Sequence, residues 1–207
     1  MTKEKKEALK QINQLKESLV DNKKFVPYDP NALIMWGVVT SILFIFAQEI
    51  LERFGIVAGA IFLASFISTA AFIEHNMTKK VNKKYEIEAL TKKQKFMESI
   101  YMFQSLFSIL MTAVLFQAGA MNLIYVVWIF LIGFTSYTAG HIMNQKSFTY
   151  HGVVSALVAF GILYLIYFTP NGLEDRGLSI LFRVLAVIFL GGGFVWLGIT
   201  LKKESNV

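Results

Sequence analysis

GIVAGAIFLASFISTAAFIE, residues 55–74, runs straight into HNMTKKVNKKYEIEALTKKQKF, residues 75–96. Twenty residues with a single charge give way at Glu74 to a stretch holding seven lysines. An α-helix of about twenty apolar residues crosses the hydrocarbon core of a bilayer. Lysine and arginine gather on the cytoplasmic flank of such helices. The boundary at Glu74 therefore predicts a membrane span followed by a cytoplasmic loop.

Outward from this boundary the same pattern repeats. Apolar runs occupy 31–49, 55–74, 98–118, 122–144, 149–169 and 178–201. The chain has 207 residues, of which 55% are apolar and only 16% charged, against roughly 25% charged in soluble domains. The reading is an all-α polytopic membrane protein, with six transmembrane helices paired in three hairpins. Residues 1–30 form a cytoplasmic arm, 31–201 the membrane domain and 202–207 a cytoplasmic tail.

Charge sets the orientation. All seventeen lysines lie on one side of the six-span pattern, with ten acids, for a net +7. The three arginines, Arg53, Arg176 and Arg183, lie on the other with four acids, for a net −1. An even number of spans puts both termini on the lysine side, which the positive-inside rule makes cytoplasmic. The expected location is the bacterial cytoplasmic (inner) membrane. The basic balance then reflects orientation and attraction to an anionic inner leaflet, about 1 kcal/mol per basic residue near the surface, not a nucleic-acid partner. The first thirty residues are mostly polar, so no cleaved signal is expected. With no cysteine, disulfides, thiol chemistry and C-x-x-C-H haem attachment are excluded.

Residues 3–24 read as an amphipathic helix, with Leu9, Ile12, Leu15 and Leu19 on one face. That face suits the membrane surface, a partner protein or second copy of the chain, or the protein's own cytoplasmic loop. Asp29 is the expected cap of the first span, with Pro30 in its first turn. Thr91-Lys-Lys-Gln94 has the form of a capping box for the third. Gly119-Ala120 and Pro170-Asn171-Gly172 are turn signals.

Several polar sets stand out in the apolar runs. Glu98, Tyr101, Gln104, Ser105, Ser108 and Thr112 form a stripe along span three. Tyr137, His141 and Asn144 recur at helical spacing in span four. Polar groups in lipid seek partners, so both faces are expected to point inward. They would either hydrogen-bond between helices or line a polar cavity. His141 and His151 flank one short turn and are a candidate metal or haem pair, although no recurrent ligand motif accompanies them. Arg183, some six residues into span six, needs a counter-charge, and Glu49 is the expected partner. Gly191-Gly192-Gly193 reads either as a close helix contact or as a hinge with free carbonyls. Gly55-x-x-x-Gly59, the row Ala60, Ala64, Ser68 and Ala71, and Gly152, Ser155 and Ala159 favour close helix packing.

Neither a catalytic signature nor a phosphate-cradling glycine loop is present, and no catalytic residue is assigned. The leading expectation is a non-catalytic scaffold or regulatory subunit without cofactor. It would hold a cytoplasmic protein partner, or a second copy, through the arm and the 76–96 loop. The alternatives are a small-solute transporter or channel lined by spans three and four, and a haem- or metal-binding redox subunit. The amphipathic segment Leu9–Leu19 and the tail Leu201-Lys202-Lys203-Glu204, together with the span layout, resemble small bacterial six-helix inner-membrane proteins of unassigned function. That resemblance implies the fold and carries no site residue with it.

Overall fold

A computed structural model describes residues 28–84 and 92–205, and Ile12 in the arm. The amphipathic arm face, Thr91 of the capping box and Tyr85, Ile87 and Leu90 lie outside the described residues. Among the described residues every regular element is helical. These are α1 (Pro30–Lys84), α2 (Lys92–Gln117), α3 (Met121–Met143), α4 (Lys146–Phe168), α5 (Arg176–Ala186), a π-helical turn (Val187–Gly192) and α6 (Gly193–Ser205). Five helices are long and apolar enough to cross a membrane: α1, α2, α3, α4 and the continuous stretch Arg176–Lys203.

Two of the predicted runs, 31–49 and 55–74, share α1. The gap between those runs is the expected connection, but the helix continues through it and breaks only at Gly55 (φ 78°, ψ 178°). That conformation is essentially restricted to glycine. Gly55 is therefore not the packing glycine that Gly55-x-x-x-Gly59 suggested; no atom stands within 4 Å of the Cβ it lacks. The first leg (30–54) and the second leg (56–84) lie side by side. Trp36 and Glu74 would be about 57 Å apart on a straight helix, yet their side chains are hydrogen-bonded at 2.7 Å. Gly59 leaves room for the Leu51 side chain on the inside of the bend.

The first leg starts where its local chemistry dictates. Asp29 Oδ1 accepts the backbone N–H of Asn31 at 2.9 Å, and Pro30 needs no acceptor at the first turn. The leg then packs against the last helix through small residues. A Cβ on Gly37 would meet the Gly191 carbonyl at 2.5 Å, and one on Gly198 would meet the Pro30 carbonyl at 2.7 Å. A second tight contact joins α3 to α4. There a Cβ on Gly133 would meet Ser155 Cβ at 2.7 Å, and one on Gly152 would meet the Gly133 carbonyl at 2.6 Å.

The core lies where the first leg, α3 and the last helix meet. Phe44 stands edge-on to Trp128 with ring centroids 6.0 Å apart. Tyr125 and Phe182 continue the aromatic contact at 6.4 Å, while Ile129, Phe182, Leu190 and Leu197 are fully buried. The outward surface is apolar, with Phe54, Val57, Phe103 and Tyr167 all largely exposed.

The second leg and α2 extend past the apolar runs, to Lys84 and from Lys92. Polar pairing holds these extensions together. Asn82 and Gln94 each donate a side-chain N–H to the other's carbonyl at 2.9 Å, and both are buried. At the other end Asn122 is wholly buried and donates to the Gly172 carbonyl at 2.7 Å, tying the 170–175 turn to α3. Asp175 caps α5 by accepting the Leu178 N–H at 2.7 Å.

Gly55→Ala should destabilise the folded protein by about 1–3 kcal/mol, the cost of forcing an L side chain into this region. Gly161→Ala is the control. Gly161 is mid-helix, exposed, and has no atom within 4 Å of its missing Cβ, so alanine should be neutral or stabilising by up to about 1 kcal/mol. Thermal unfolding of both variants in one detergent compares them. Equal stabilities would refute the backbone account of the bend.

Candidate functional site

The second leg and α2 are not packed as tightly as the other helices. Between them, the first leg and α3 lies a cavity of about 690 Å³, within the roughly 300–1,000 Å³ of small-molecule sites. Most of its wall is apolar, including Leu33, Leu43, Phe44, Leu63, Ile67, Ile109, Trp128 and Ile132. The second leg turns Ala64, Ser68 and Ala71 toward it. Spacings of four and three put these small residues on one helical face. Small side chains on a face either admit a neighbour or leave a space. On this leg they leave the space, and the close packing expected of the row is found elsewhere, at Gly152, Ser155 and Ala159 of α4. The cavity opens sideways between the second leg and α2. Phe72, Met102 and Leu106 line it and are yet 69%, 73% and 59% exposed.

One end of the cavity holds a carboxylate. The Tyr28 hydroxyl donates to one oxygen of Glu74, and Trp36 Nε1 donates to the other at 2.7 Å. Burial and the adjacent Glu74 charge raise the Tyr28 phenol well above its ordinary range, so it remains a neutral donor. Tyr101 lines the same end. Beside it, His75 Nδ1 meets Glu98 Oε1 at 2.6 Å. Glu74, His75 and Glu98 all line the cavity, and among the described residues no lysine or arginine does. The cavity wall is thus acidic in a chain whose net charge is +6.

At the opposite end Gln48 is a hub. Its Oε1 accepts from the Tyr125 hydroxyl at 2.8 Å, the Ser179 hydroxyl at 3.0 Å and Arg183 Nη2 at 2.6 Å. Its Nε2 donates to Glu52 at 2.7 Å. Arg183 also stands 3.7 Å from Glu49, which in turn is 3.5 Å from Arg53. Glu49 is half exposed, so this ion pair is worth at most about 1 kcal/mol. The hydrogen bond to Gln48 is the stronger anchor, because bonds to charged groups are worth about 1.5–3 kcal/mol.

The span-three stripe divides. Glu98, Tyr101, Gln104, Ser105 and Thr112 line the cavity, whereas Ser108 is fully buried and does not. Two of its members also bind α3. Thr135 donates to Gln104 Oε1, and Trp128 Nε1 donates to Thr112 at 2.8 Å. The span-four set lies elsewhere. Tyr137, His141 and Asn144 are exposed on α3, away from the cavity. The Tyr137 and His141 rings meet edge to face with centroids 4.6 Å apart, and Asn144 adopts the left-handed conformation that caps the helix C-terminus. The reason is steric. Gly133, Tyr137 and Gly140 share the face of α3 that meets α4, where a Cβ on Gly152 would meet Tyr137 Cβ at 2.6 Å, so this face is turned to α4 and away from the cavity. His141 and His151 therefore have different surroundings. His151 is buried, its ring 5.6 Å from Phe194 and its Nε2 2.9 Å from the Phe189 carbonyl. Among the described residues no three His, Cys, Asp or Glu side chains are grouped to hold a metal ion.

The triple glycine lies where close contacts and a change of helix type coincide. Gly191 lies against Ser41 and the Gly37 carbonyl, and Gly193 against the His151 ring. Gly191 and Gly192 also close the π-helical turn. Within this turn the Phe189 carbonyl lies 2.9 Å from His151 Nε2.

Sequence reasoning did not assign Tyr28, Trp36 and Glu74 to one cluster, nor Gln48 to the centre of the other. Glu74 carries a signal in hindsight, as the one charge in an apolar run of twenty residues.

Gln48→Leu should cost about 1.5–3 kcal/mol because it strands the Arg183 guanidinium. Glu49→Gln should cost less than about 1 kcal/mol. Chemical denaturation in mixed micelles ranks the two, and a larger loss for the Glu49 variant would reverse the assignment. No family model matches this chain, and no curated protein or solved structure matches it.

Proposed function

We propose that this is a six-pass protein of the bacterial cytoplasmic membrane, in three hairpins with both termini on the cytoplasmic side. It binds a small, largely apolar molecule within the bilayer, as a transporter does. The observation that carries this reading is the cavity of about 690 Å³ with its sideways opening. The lysine partition supports the orientation, putting the Glu74 end at the cytoplasmic face and Arg183 at the other. The two legs of α1 supply two of the six passes.

The side opening faces the hydrocarbon region in this orientation, so the ligand reaches the cavity from lipid rather than from water. The scaffold reading rests on the N-terminal arm and the 76–96 loop, and most of the arm and residues 85–91 of the loop lie outside the described residues. The separate surroundings of His141 and His151 give the haem or metal reading no support.

The chain lacks cysteine, so single cysteines report orientation directly. In right-side-out vesicles, Arg176→Cys should react with a membrane-impermeant maleimide. Lys84→Cys and Lys203→Cys should react only after permeabilisation. Early labelling at residue 84 would refute the orientation.

Binding is tested in nanodiscs with the apolar dye N-phenyl-1-naphthylamine. Trp36 and Trp128 line the cavity, so occupancy should quench tryptophan emission saturably. Ser68→Phe puts a ring into the space and should abolish the saturable component while leaving thermal stability within about 1 kcal/mol of the parent. Unchanged quenching in that variant would sink the proposal.

A further inference from the structure

We infer that the cavity takes an amphipathic organic cation, an alkyl amine or quaternary ammonium. Its charged head sits at Glu74 among Tyr28, Trp36 and Tyr101, and its tail lies along the apolar wall toward Gln48. This rests on the binding function proposed above and names the chemical class of its ligand.

The polar end has to supply the selectivity. Lipid chains are as apolar as the cavity wall, so a tail gains little on moving from one to the other. The ligand is recognised by what its head meets. At the Glu74 end the Tyr28 hydroxyl and Trp36 Nε1 are both spent on the carboxylate. His75 is engaged with Glu98. The wall there carries two carboxylates, so a carboxylate head would meet like charge and an uncharged head would gain no ion pair. Glu74 and Glu98 line the cavity and, among the described residues, no lysine or arginine does, so an anion is repelled and a cation drawn in. Each carboxylate oxygen of Glu74 has a second lone pair left for a ligand. Indole and phenol rings beside a carboxylate add cation–π attraction for an ammonium group that cannot hydrogen-bond.

The sideways opening suits the same class. An amphipathic cation rests in the leaflet with its head at the interface and its tail among the lipid chains. Phe72, Met102 and Leu106 border the opening and are apolar and exposed, so the tail can pass between the second leg and α2 without meeting a charge. Glu74, at the end of the apolar run, receives the head at interfacial depth.

The test is displacement of N-phenyl-1-naphthylamine from the protein in phosphatidylcholine nanodiscs by three compounds with one tail: tetradecyltrimethylammonium, tetradecanol and tetradecanoate. The cation should displace the dye at about ten times lower concentration than the other two, a ratio worth 1.4 kcal/mol. Glu74→Gln removes the charge; its amide oxygen still accepts from Trp36 Nε1, and its NH2 can donate to the Tyr28 hydroxyl oxygen. It should erase the preference, so that tetradecyltrimethylammonium and tetradecanol displace the dye at about the same concentration. Equal displacement by all three compounds in the parent protein overturns the cation assignment and leaves the binding cavity standing. Persistence of the preference in Glu74→Gln, with the dye still bound, overturns the role of Glu74. Absence of saturable dye binding in the parent removes both the cavity function and the ligand class.

Discussion

Backbone contact at glycine organises this bundle. Where Gly37 meets Gly191 and Gly133 meets Ser155, a Cβ would stand within 2.7 Å of a neighbouring atom. Helices that approach so closely gain dispersion contacts along their length, and in lipid such contacts are the main drive for association. The first leg is thus fixed to the last helix, and α3 to α4. The second leg and α2 have no comparable contact with the rest. They are joined to each other and to the bundle by a few polar pairs, and the space they leave is the cavity.

Those polar pairs explain how a loosely packed element stays in register. Asn82 with Gln94, His75 with Glu98, and Thr112 with Trp128 each bridge two helices. A buried amide or hydroxyl without a partner costs far more than the bond contributes when made, so each pair selects one alignment of its helices. The same logic holds at the two ends of the cavity. Glu74 collects Tyr28 and Trp36, and Gln48 collects Tyr125, Ser179 and Arg183. Both hubs draw on elements distant in the chain, which makes each a structural clamp and part of the cavity wall.

Small residues show why the site was only partly legible. In α4 the row Gly152, Ser155 and Ala159 buries itself against α3. In the second leg the row Ala64, Ser68 and Ala71 has the same character and faces open space. Nothing local separates the two. The outcome depends on whether the facing helix also presents small residues, as α3 does with Gly133 and Gly140. Polar stripes carry a similar ambiguity. Helical spacing put Tyr137, His141 and Asn144 together, as the geometry of a helix requires, but it cannot say which side of that helix its neighbours occupy.

The sequence by itself determined the helical class, the apolar runs, the capping role of Asp29 and the asymmetry of lysine and arginine. Each follows from local periodicity or from the cost of placing a charge in an apolar run. Tertiary structure alone decided that Gly55, rather than the residues before it, makes the first bend. It decided that Gln48 rather than Glu49 is the main partner of Arg183, and that an acidic, side-opening cavity lies between the second leg and α2. Those features arise from the mutual distances of residues up to 135 positions apart. Such distances follow from how whole helices pack, and no stretch of the chain encodes them separately.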